Sequence, residues 1–491
     1  MSEGFDIVIV GAGTAGMPCA IEAVAAGARV LVVEQEARPG GTLHVSLGQM
    51  SGAGTRPQAA RGIADSPAAH LGDIRRINRG TGRDDLLDRT VPLLGPAIDW
   101  LLDNGFAMDP ACPEILHLHE AYRTPRTYWG VEGGLSVLAA VRPLFEAAMA
   151  RPGAALRLWT EALALTLNAD GRVDGLRLRD LDSGAESVVA AGAVVLATGG
   201  YGASPAMFAR FTGGRPLVTA AMPGSTGTGI AMAEAAGAAV AGADLFLPTY
   251  AGIVSAPGGN RVIWRQMPSL TPQVRQPWEL HLDRAGRRFV REDDDSVDAR
   301  EHALDALPDL AFWCVFDDAV LAAAPPLLPG WTEAEFRDAW AGGHPSFRRA
   351  ETLAGLAGAT GMQADDLAAS VAAYNAACAG AAPDPTGRRH LPQPLAGPGW
   401  RAILMHGMVL KTAAGLRVDD ALRVLRPDGT AIPGLFALGE AMGGSALSGK
   451  GFVSGMSVTP ALALGRWLGG ELGRAVAAGA AAAPATGGER E

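Results

Sequence analysis

The chain is predicted to be an α/β protein with a Rossmann-like nucleotide-binding domain that is interrupted by a second, α+β unit. Three observations predict it. A strand, a glycine turn, a helix and a second strand follow one another within residues 5–34. From residue 245 the composition changes: residues 245–404 hold six of the ten tryptophans, several proline breaks and the acidic run Glu292, Asp293, Asp294, Asp295. Near Gly407 the chain returns to the apolar strands and glycine-rich turns with which it began.

The opening stretch carries the first functional signal. The apolar run FDIVIV (5–10) reads as a buried strand, and GAGTAG follows it as Gly11, Ala12, Gly13, Thr14, Ala15, Gly16. A helix is predicted through Ala20, Ala23 and Ala26, ended by Gly27, and a strand at 29–33 ends in the acid Glu34. This is the spacing of a dinucleotide fingerprint. Gly11 allows a sharp turn, Gly13 a close approach of backbone to a pyrophosphate, and Gly16 tight packing of helix on strand. The helix N-terminus offers unpaired N–H groups and partial positive charge to phosphates. Glu34 suits a ribose with both hydroxyls free and would repel a 2′-phosphate.

Composition bounds the rest. The sequence is 48% hydrophobic and 19% charged, which describes a globular protein with ample core. Its net charge of −10 argues against nucleic acid or an anionic membrane as partner. Cys19, Cys112, Cys314 and Cys378 are scattered without CxxC spacing, so no metal site, haem attachment or disulfide framework is expected. No secretory signal is read at the N-terminus and no stretch reads as a membrane span, so a cytoplasmic protein is expected. Only two of 41 basic residues are lysine, Lys411 and Lys450, in a chain otherwise dominated by arginine. A lysine kept against that bias draws attention as a candidate for chemistry.

Residues 56–85 read as polar and irregular, and 86–104 and 134–150 as helices. Short strands are predicted at 156–158, 162–167, 173–180 and 186–189, forming a β-meander, and a buried strand at 193–197. A helix is predicted at 230–236, a hairpin at 419–427 with its turn at Asp428 and Gly429, a strand at 435–438 and a helix at 457–472. The Ala/Gly/Pro tail, 476–491, is expected to be disordered.

In this order, GAGTAG with Glu34, then Gly40, Gly41 and Thr42, VVLATGG (194–200), GSTGTGIAMAEAAGA (224–238), GRRFVRE (286–292) and GLFALGEAMGG (434–444) resemble the fumarate reductase/succinate dehydrogenase flavoprotein superfamily, in particular its 3-ketosteroid Δ1-dehydrogenase-like branch. The resemblance covers nearly the whole chain. It implies FAD as cofactor, an FAD-binding domain at 1–244 and 405–475, and an inserted capping domain at 245–404 that covers the flavin ring. It further implies that Gly40, Gly41, Thr42, Leu47 and Gly48 line the flavin and that Ala162, Ala197, Thr198 and Gly199 lie along the adenosine half. Gly439 and Glu440 would meet the ribityl chain, and the N-terminus of the helix opened by Ser457 and Val458 the pyrimidine edge. Some relatives attach FAD through a histidine in this region. His44 leaves a covalent link open beside the non-covalent alternative.

The chain departs from the pattern where substrate should bind. The dicarboxylate-clamping arginine of fumarate reductases falls at Ser296, their HPT segment reads Leu247, Pro248, Thr249, and their HHTMGG segment begins Leu410, Lys411. Gly455 matches the glycine whose N–H polarises a ketone in the ketosteroid enzymes, but Gly451 stands where their tyrosine would be. The expected activity is therefore FAD-dependent α,β-dehydrogenation of a carbonyl compound, a cyclic ketone for preference, with an unassigned electron acceptor. Lys450 and Gly455 would hold the carbonyl oxygen, and Tyr250 or Lys411 the α-proton. Each lysine could instead pair a structural carboxylate. The alternatives are an ene-reductase of an unsaturated carboxylate, using arginines such as Arg261, Arg265 or Arg275, and an electron-transfer subunit.

Overall fold

The computed structural model describes residues 4–479. The strand Gly4–Val10 lies inside an eight-stranded sheet, parallel to Val30–Val33 on one side and to Glu186–Leu196 on the other. Ala154–Arg157 extends the parallel run beyond the second strand, and Ala431–Ala437 beyond the third. Val30–Val33 is buried throughout, so it reads as an unbroken apolar run rather than an alternation.

Several elements differ from the sequence reading, each for a local reason. The strands expected at 186–189 and 193–197 are one strand, Glu186–Leu196. Gly192, between the two expected strands, marks a close approach, since an added Cβ would come within 2.7 Å of the Asp6 carbonyl oxygen. The first half of this strand pairs with the meander strand Val173–Asp180, which in turn pairs with Thr160–Leu167. The segment 56–85, expected to be irregular, holds the helices Arg56–Ala60 and Pro67–Ile77. Thr55 and Ser66 cap them with prolines in their first turns, a start signal that the polar composition obscured.

The last helix, Val458–Ala477, runs past its expected end at 472 and into the first two residues of the expected tail; residues 480–491 lie outside the described residues. It packs on the first helix, Gly16–Ala25, through a glycine stripe. Added Cβ atoms would meet the Ala15 carbonyl oxygen at 2.4 Å from Gly465, the Cys19 carbonyl oxygen at 2.1 Å from Gly469, and the Ala26 Cβ at 2.5 Å from Gly473. The contacts advance along both helices together. The two helices therefore run in the same direction, and their N-termini open side by side.

A second, five-stranded sheet is antiparallel: Thr249–Gly252, Trp400–Met408, Ala311–Phe316 and Leu280–Leu282 in order, with Phe347–Ala350 also on Trp400–Met408. It has its own core, including Leu280, Phe312, Val315, Tyr374 and Ile403. Trp400–Met408 carries this sheet past the boundary expected at 404. The helix Val297–Asp305 faces the first domain, and ion pairs tie it there: Arg79 to Asp298, and both Arg215 and Lys450 to Asp305.

Candidate active site

Val10, Val33, Leu196 and Ala437 are in register at the C-terminal ends of four neighbouring parallel strands. Beyond them opens a cleft of about 1480 Å³, its mouth included. Open α/β sheets bind ligands at this edge. Gly11, Gly13, Thr14 and Ala15 line the cleft after the first strand and Glu34 after the second. Ala197, Thr198 and Gly199 follow the third, and Gly439 and Glu440 the fourth, while Gly41, Thr42, Ala162, Ser457 and Val458 complete the walls.

The other five residues expected at the cofactor stand behind or outside this surface. Ala12 is fully buried and gives its N–H to Glu34 Oε2 at 2.8 Å. Gly16 lies against Gly11, where a Cβ would come within 1.9 Å of the carbonyl oxygen. Gly40 donates its N–H to the Ala12 carbonyl at 2.9 Å. Gly48 packs on Gly133 and Gly134, and Leu47 is exposed outside the cleft lining. Gly229, quoted above only as part of a motif, is a wall residue: a Cβ there would be 2.1 Å from Thr198 Oγ1.

The lining fits FAD. Neither Gly16–Ala25 nor Val458–Ala477 has a side-chain N-cap. Met17 gives its N–H to the Gly13 carbonyl at 3.1 Å, and residues at both N-termini line the cleft, so the positive ends of both helices face it. Thr198 Oγ1 is buried with no partner in the protein. Glu34 Oε1 accepts the Glu36 N–H at 3.0 Å while the side chain faces the cleft. Burial raises the Glu34 carboxyl above the usual range, against the backbone N–H groups that favour its ion.

Lys411 stands in the wall between this cleft and a smaller pocket of about 330 Å³, its opening included, whose rim includes Leu247, Thr249, Leu410, Gly451 and Phe452. Its Nζ donates to Ser448 Oγ at 2.8 Å and lies 4.4 Å from the centre of the Phe452 ring. Burial pulls this amine down to about 8, partly offset by the carboxylates of Glu301 and Glu440. Glu440 Oε1 accepts the Thr412 N–H at 2.6 Å and the Thr412 hydroxyl at 2.7 Å. His119 stacks on Phe452 with ring centres 3.5 Å apart, and its Nδ1 is 3.5 Å from Glu301 Oε1. His119 and Glu301 are both buried. Burial lifts Glu301 well above the usual carboxylate range and drops His119 to about 3, so His119 is neutral near pH 7.

A family model described as an FAD binding domain matches residues 6–450. The chain belongs to the FAD-dependent fumarate reductase/succinate dehydrogenase flavoprotein superfamily. It is 26% identical to a probable fumarate reductase Ifc3 of Shewanella frigidimarina, over 95% of this chain and 74% of that protein. It is also 26% identical to a 4-oxocyclohexanecarboxylate 2-dehydrogenase of Sinomonas cyclohexanicum, over 95% of this chain and 93% of that one. Among solved structures, a 3-ketosteroid Δ1-dehydrogenase from Sterolibacterium denitrificans superposes with a TM-score of 0.75 at 19% identity, covering 97% of this chain and 100% of that one. This chain is thus an FAD-dependent oxidoreductase, and none of its helices among the described residues is long and apolar enough to cross a membrane.

Of the catalytic residues expected in this flavoprotein, the structure brings Lys411 to the cleft and leaves Gly455 beside it, where Met456 lines the wall. Gly455 has φ +74° and packs so closely on Met50 and Ser51 that a Cβ would come within 2.3 Å of their backbone. Two residues go elsewhere. Lys450 Nζ is 2.8 Å from Asp305 Oδ2, the structural pairing that was its alternative. Tyr250 directs its hydroxyl to His281 Nδ1 at 2.7 Å, into the capping domain. The arginines considered for a carboxylate are engaged: Arg261 with the Ala221 carbonyl, Arg265 with Glu335, and Arg275 with Glu279. His44 Nε2 lies 3.0 Å from the Pro39 carbonyl oxygen. Cys314 does meet two possible ligands, Glu279 and His281, within 4.8 Å, a grouping invisible in the linear spacing. Arg275 takes both oxygens of Glu279 there. His119 and Glu301 were missed because no local pattern joins them to Lys411.

Proposed function

We propose that this flavoprotein dehydrogenates a CH–CH bond next to a carbonyl group, and that its substrate is a cyclic ketone. The observation that carries the reading is Lys411: an amine held near 8 in the cleft wall, beside a second pocket lined by Leu247, Leu410 and Phe452 together with Thr249 and Ser445. A base of that strength is matched to removing an α-proton near neutral pH. The engagement of Arg261, Arg265 and Arg275 elsewhere argues against a dicarboxylate clamp.

FAD bound in the cleft supplies the two-electron acceptor. Lys411 in its neutral form takes the proton from the α-carbon. The backbone N–H of Gly455 holds the carbonyl oxygen, where negative charge develops as that proton leaves. Leu247, Leu410 and Phe452 exclude water from the amine. The similarity to an enzyme named for a ring ketone supports this substrate class. The similarity to fumarate reductases favours a second reading, reduction of an unsaturated carboxylate held by the Lys411 ammonium.

Anaerobic mixing of the oxidised protein with saturated cyclic ketones and saturated carboxylates separates the two. Bleaching of the flavin absorbance by the ketones supports the proposal; bleaching by carboxylates alone overturns it.

A further inference from the structure

The turn that carries Gly455 is held from behind by a phenol with no part in the reaction described so far. Met456 gives its N–H to the Val453 carbonyl at 3.3 Å, which closes a β-turn over residues 453–456. Gly455, at its third position, has φ +74° and Ser454 does not have a positive φ, so the turn is type II. Its central peptide, Ser454–Gly455, is thereby rotated about half a turn from the type I orientation. That peptide is trans, so its carbonyl and its N–H point to opposite sides. The Tyr122 hydroxyl donates to the Ser454 carbonyl oxygen at 2.5 Å and lies 3.3 Å from Ser51 Oγ. Gly455 is buried, yet its N–H has no hydrogen-bond partner among the described residues. Buried amides left this way are rare, and this one points away from Tyr122.

Tyr122 is itself fixed. It is 3% exposed, His70 Nε2 lies 3.4 Å from its hydroxyl, and the two rings meet edge-on with centres 5.2 Å apart. The Arg126 guanidinium carbon is 5.2 Å from the centre of the Tyr122 ring. Arg126 is wholly buried and binds Asp65 at 2.8 Å and Asp73 at 2.6 Å, which pins it in turn. Burial raises the phenol above its usual range, so the hydroxyl keeps the proton it donates. The Thr459 hydroxyl steadies the next peptide, 3.3 Å from the Gly455 carbonyl oxygen.

We propose that Tyr122 is the positioning residue for the Gly455 oxyanion donor: its hydroxyl holds the Ser454–Gly455 peptide in the orientation that turns the Gly455 N–H toward the carbonyl oxygen of the substrate. The inference rests on the role given to that N–H above. Without the bond the peptide is free to rotate toward type I, which glycine tolerates as readily, and the N–H leaves the site. A donor on the Ser454 carbonyl also polarises the peptide, which makes its N–H a stronger donor. Tyr122 acts through the peptide and not on the substrate.

Serine labelled with ¹³C at its carbonyl and glycine labelled with ¹⁵N together report the four Ser–Gly peptides of the chain, 51–52, 183–184, 448–449 and 454–455. Ser51→Ala, Ser183→Ala and Ser448→Ala each remove one signal, and the fourth is Ser454–Gly455. Tyr122→Phe takes away one oxygen and keeps the ring between His70 and Arg126. In the FAD-loaded protein it should move the Ser454 carbonyl carbon upfield, as a carbonyl moves on losing a donor, and shift the Gly455 N–H with it. The same variant should slow flavin bleaching by a saturating cyclic ketone about tenfold, less than the loss of a whole oxyanion donor. The flavin spectrum and the half-saturating ketone concentration should change little, because the N–H matters most as charge develops. A slower variant whose Ser454–Gly455 signal stays in place overturns the proposal, since that marks a packing role. A moved signal with an unchanged rate overturns it too, as does a variant unchanged in both. The functional reading fails separately, and takes the proposal with it, if no saturated cyclic ketone bleaches the flavin of the unmodified protein.

Discussion

Lys450 Nζ lies 2.8 Å from Asp305 Oδ2, and this pair joins the glycine-rich loop of the FAD-binding domain to the cap helix that carries Glu301. Arg215 reaches the same aspartate. The lysine that the sequence offered for the carbonyl oxygen thus fastens the cap over the site. Lys450 is 32% exposed, so solvent screens the pair and its loss should cost about 0.5–1 kcal/mol. Lys450→Ala is expected to lower the melting temperature by about one degree and to reduce turnover less than tenfold, with the larger part of the loss in KM. Thermal melts and steady-state kinetics with an artificial acceptor check this.

Lys411 should behave in the opposite way. Its amine is near 8 in the folded protein against 10.5 in the unfolded chain. As pH falls from 10.5 to 8 the unfolded chain takes up this proton first, so folding stability drops over that window and stays reduced below it. At pH 7 Lys411→Met is therefore expected to be more stable than the parent protein by about 1–3 kcal/mol. The gain should fade as pH approaches 10.5. Urea unfolding at a fixed, saturating FAD concentration, at neutral and at alkaline pH, measures both the gain and its disappearance.

Gly469 tests the helix pairing that sets two N-termini on the cleft. A Cβ there would lie 2.1 Å from the Cys19 carbonyl oxygen, and backbone cannot yield as a side chain can. Gly469→Ala is expected to destabilise the protein by about 1–3 kcal/mol. It should also weaken FAD retention, because the helices Gly16–Ala25 and Val458–Ala477 must separate. Denaturation curves and flavin occupancy after desalting report the two effects.

His44 Nε2 is held 3.0 Å from the Pro39 carbonyl oxygen, which favours a dissociable cofactor. Acid precipitation is expected to leave the yellow colour in the supernatant. A yellow pellet would assign a covalent link.

The cofactor half of the site was legible because its determinants are local. A glycine that needs a tight turn, an uncapped helix start and an acid at a strand end lie within residues 11–34, and each carries its own physical signature. The catalytic half was not. His119 comes from an irregular stretch, Glu301 from the cap helix and Lys411 from the returning chain, and only tertiary packing around Phe452 joins them. Tyr250 drew attention as a phenol at the start of the cap; the cap's core, where its ring stacks 5.1 Å from Phe312, decides its direction. Gly192 lies within the single strand Glu186–Leu196 and admits the neighbouring backbone of Asp6, a non-local contact that two separate short strand readings could not show.

The most direct measurement is the pH dependence of anaerobic flavin bleaching by a saturated cyclic ketone, compared between the parent protein and Lys411→Met. The parent rate should rise with pH through a midpoint near 8 as the amine loses its proton. Lys411→Met should keep the flavin spectrum, bleach at least about 100-fold more slowly and lose that midpoint. A variant that bleaches at the parent rate with the same midpoint would contradict the assignment of Lys411 as the base.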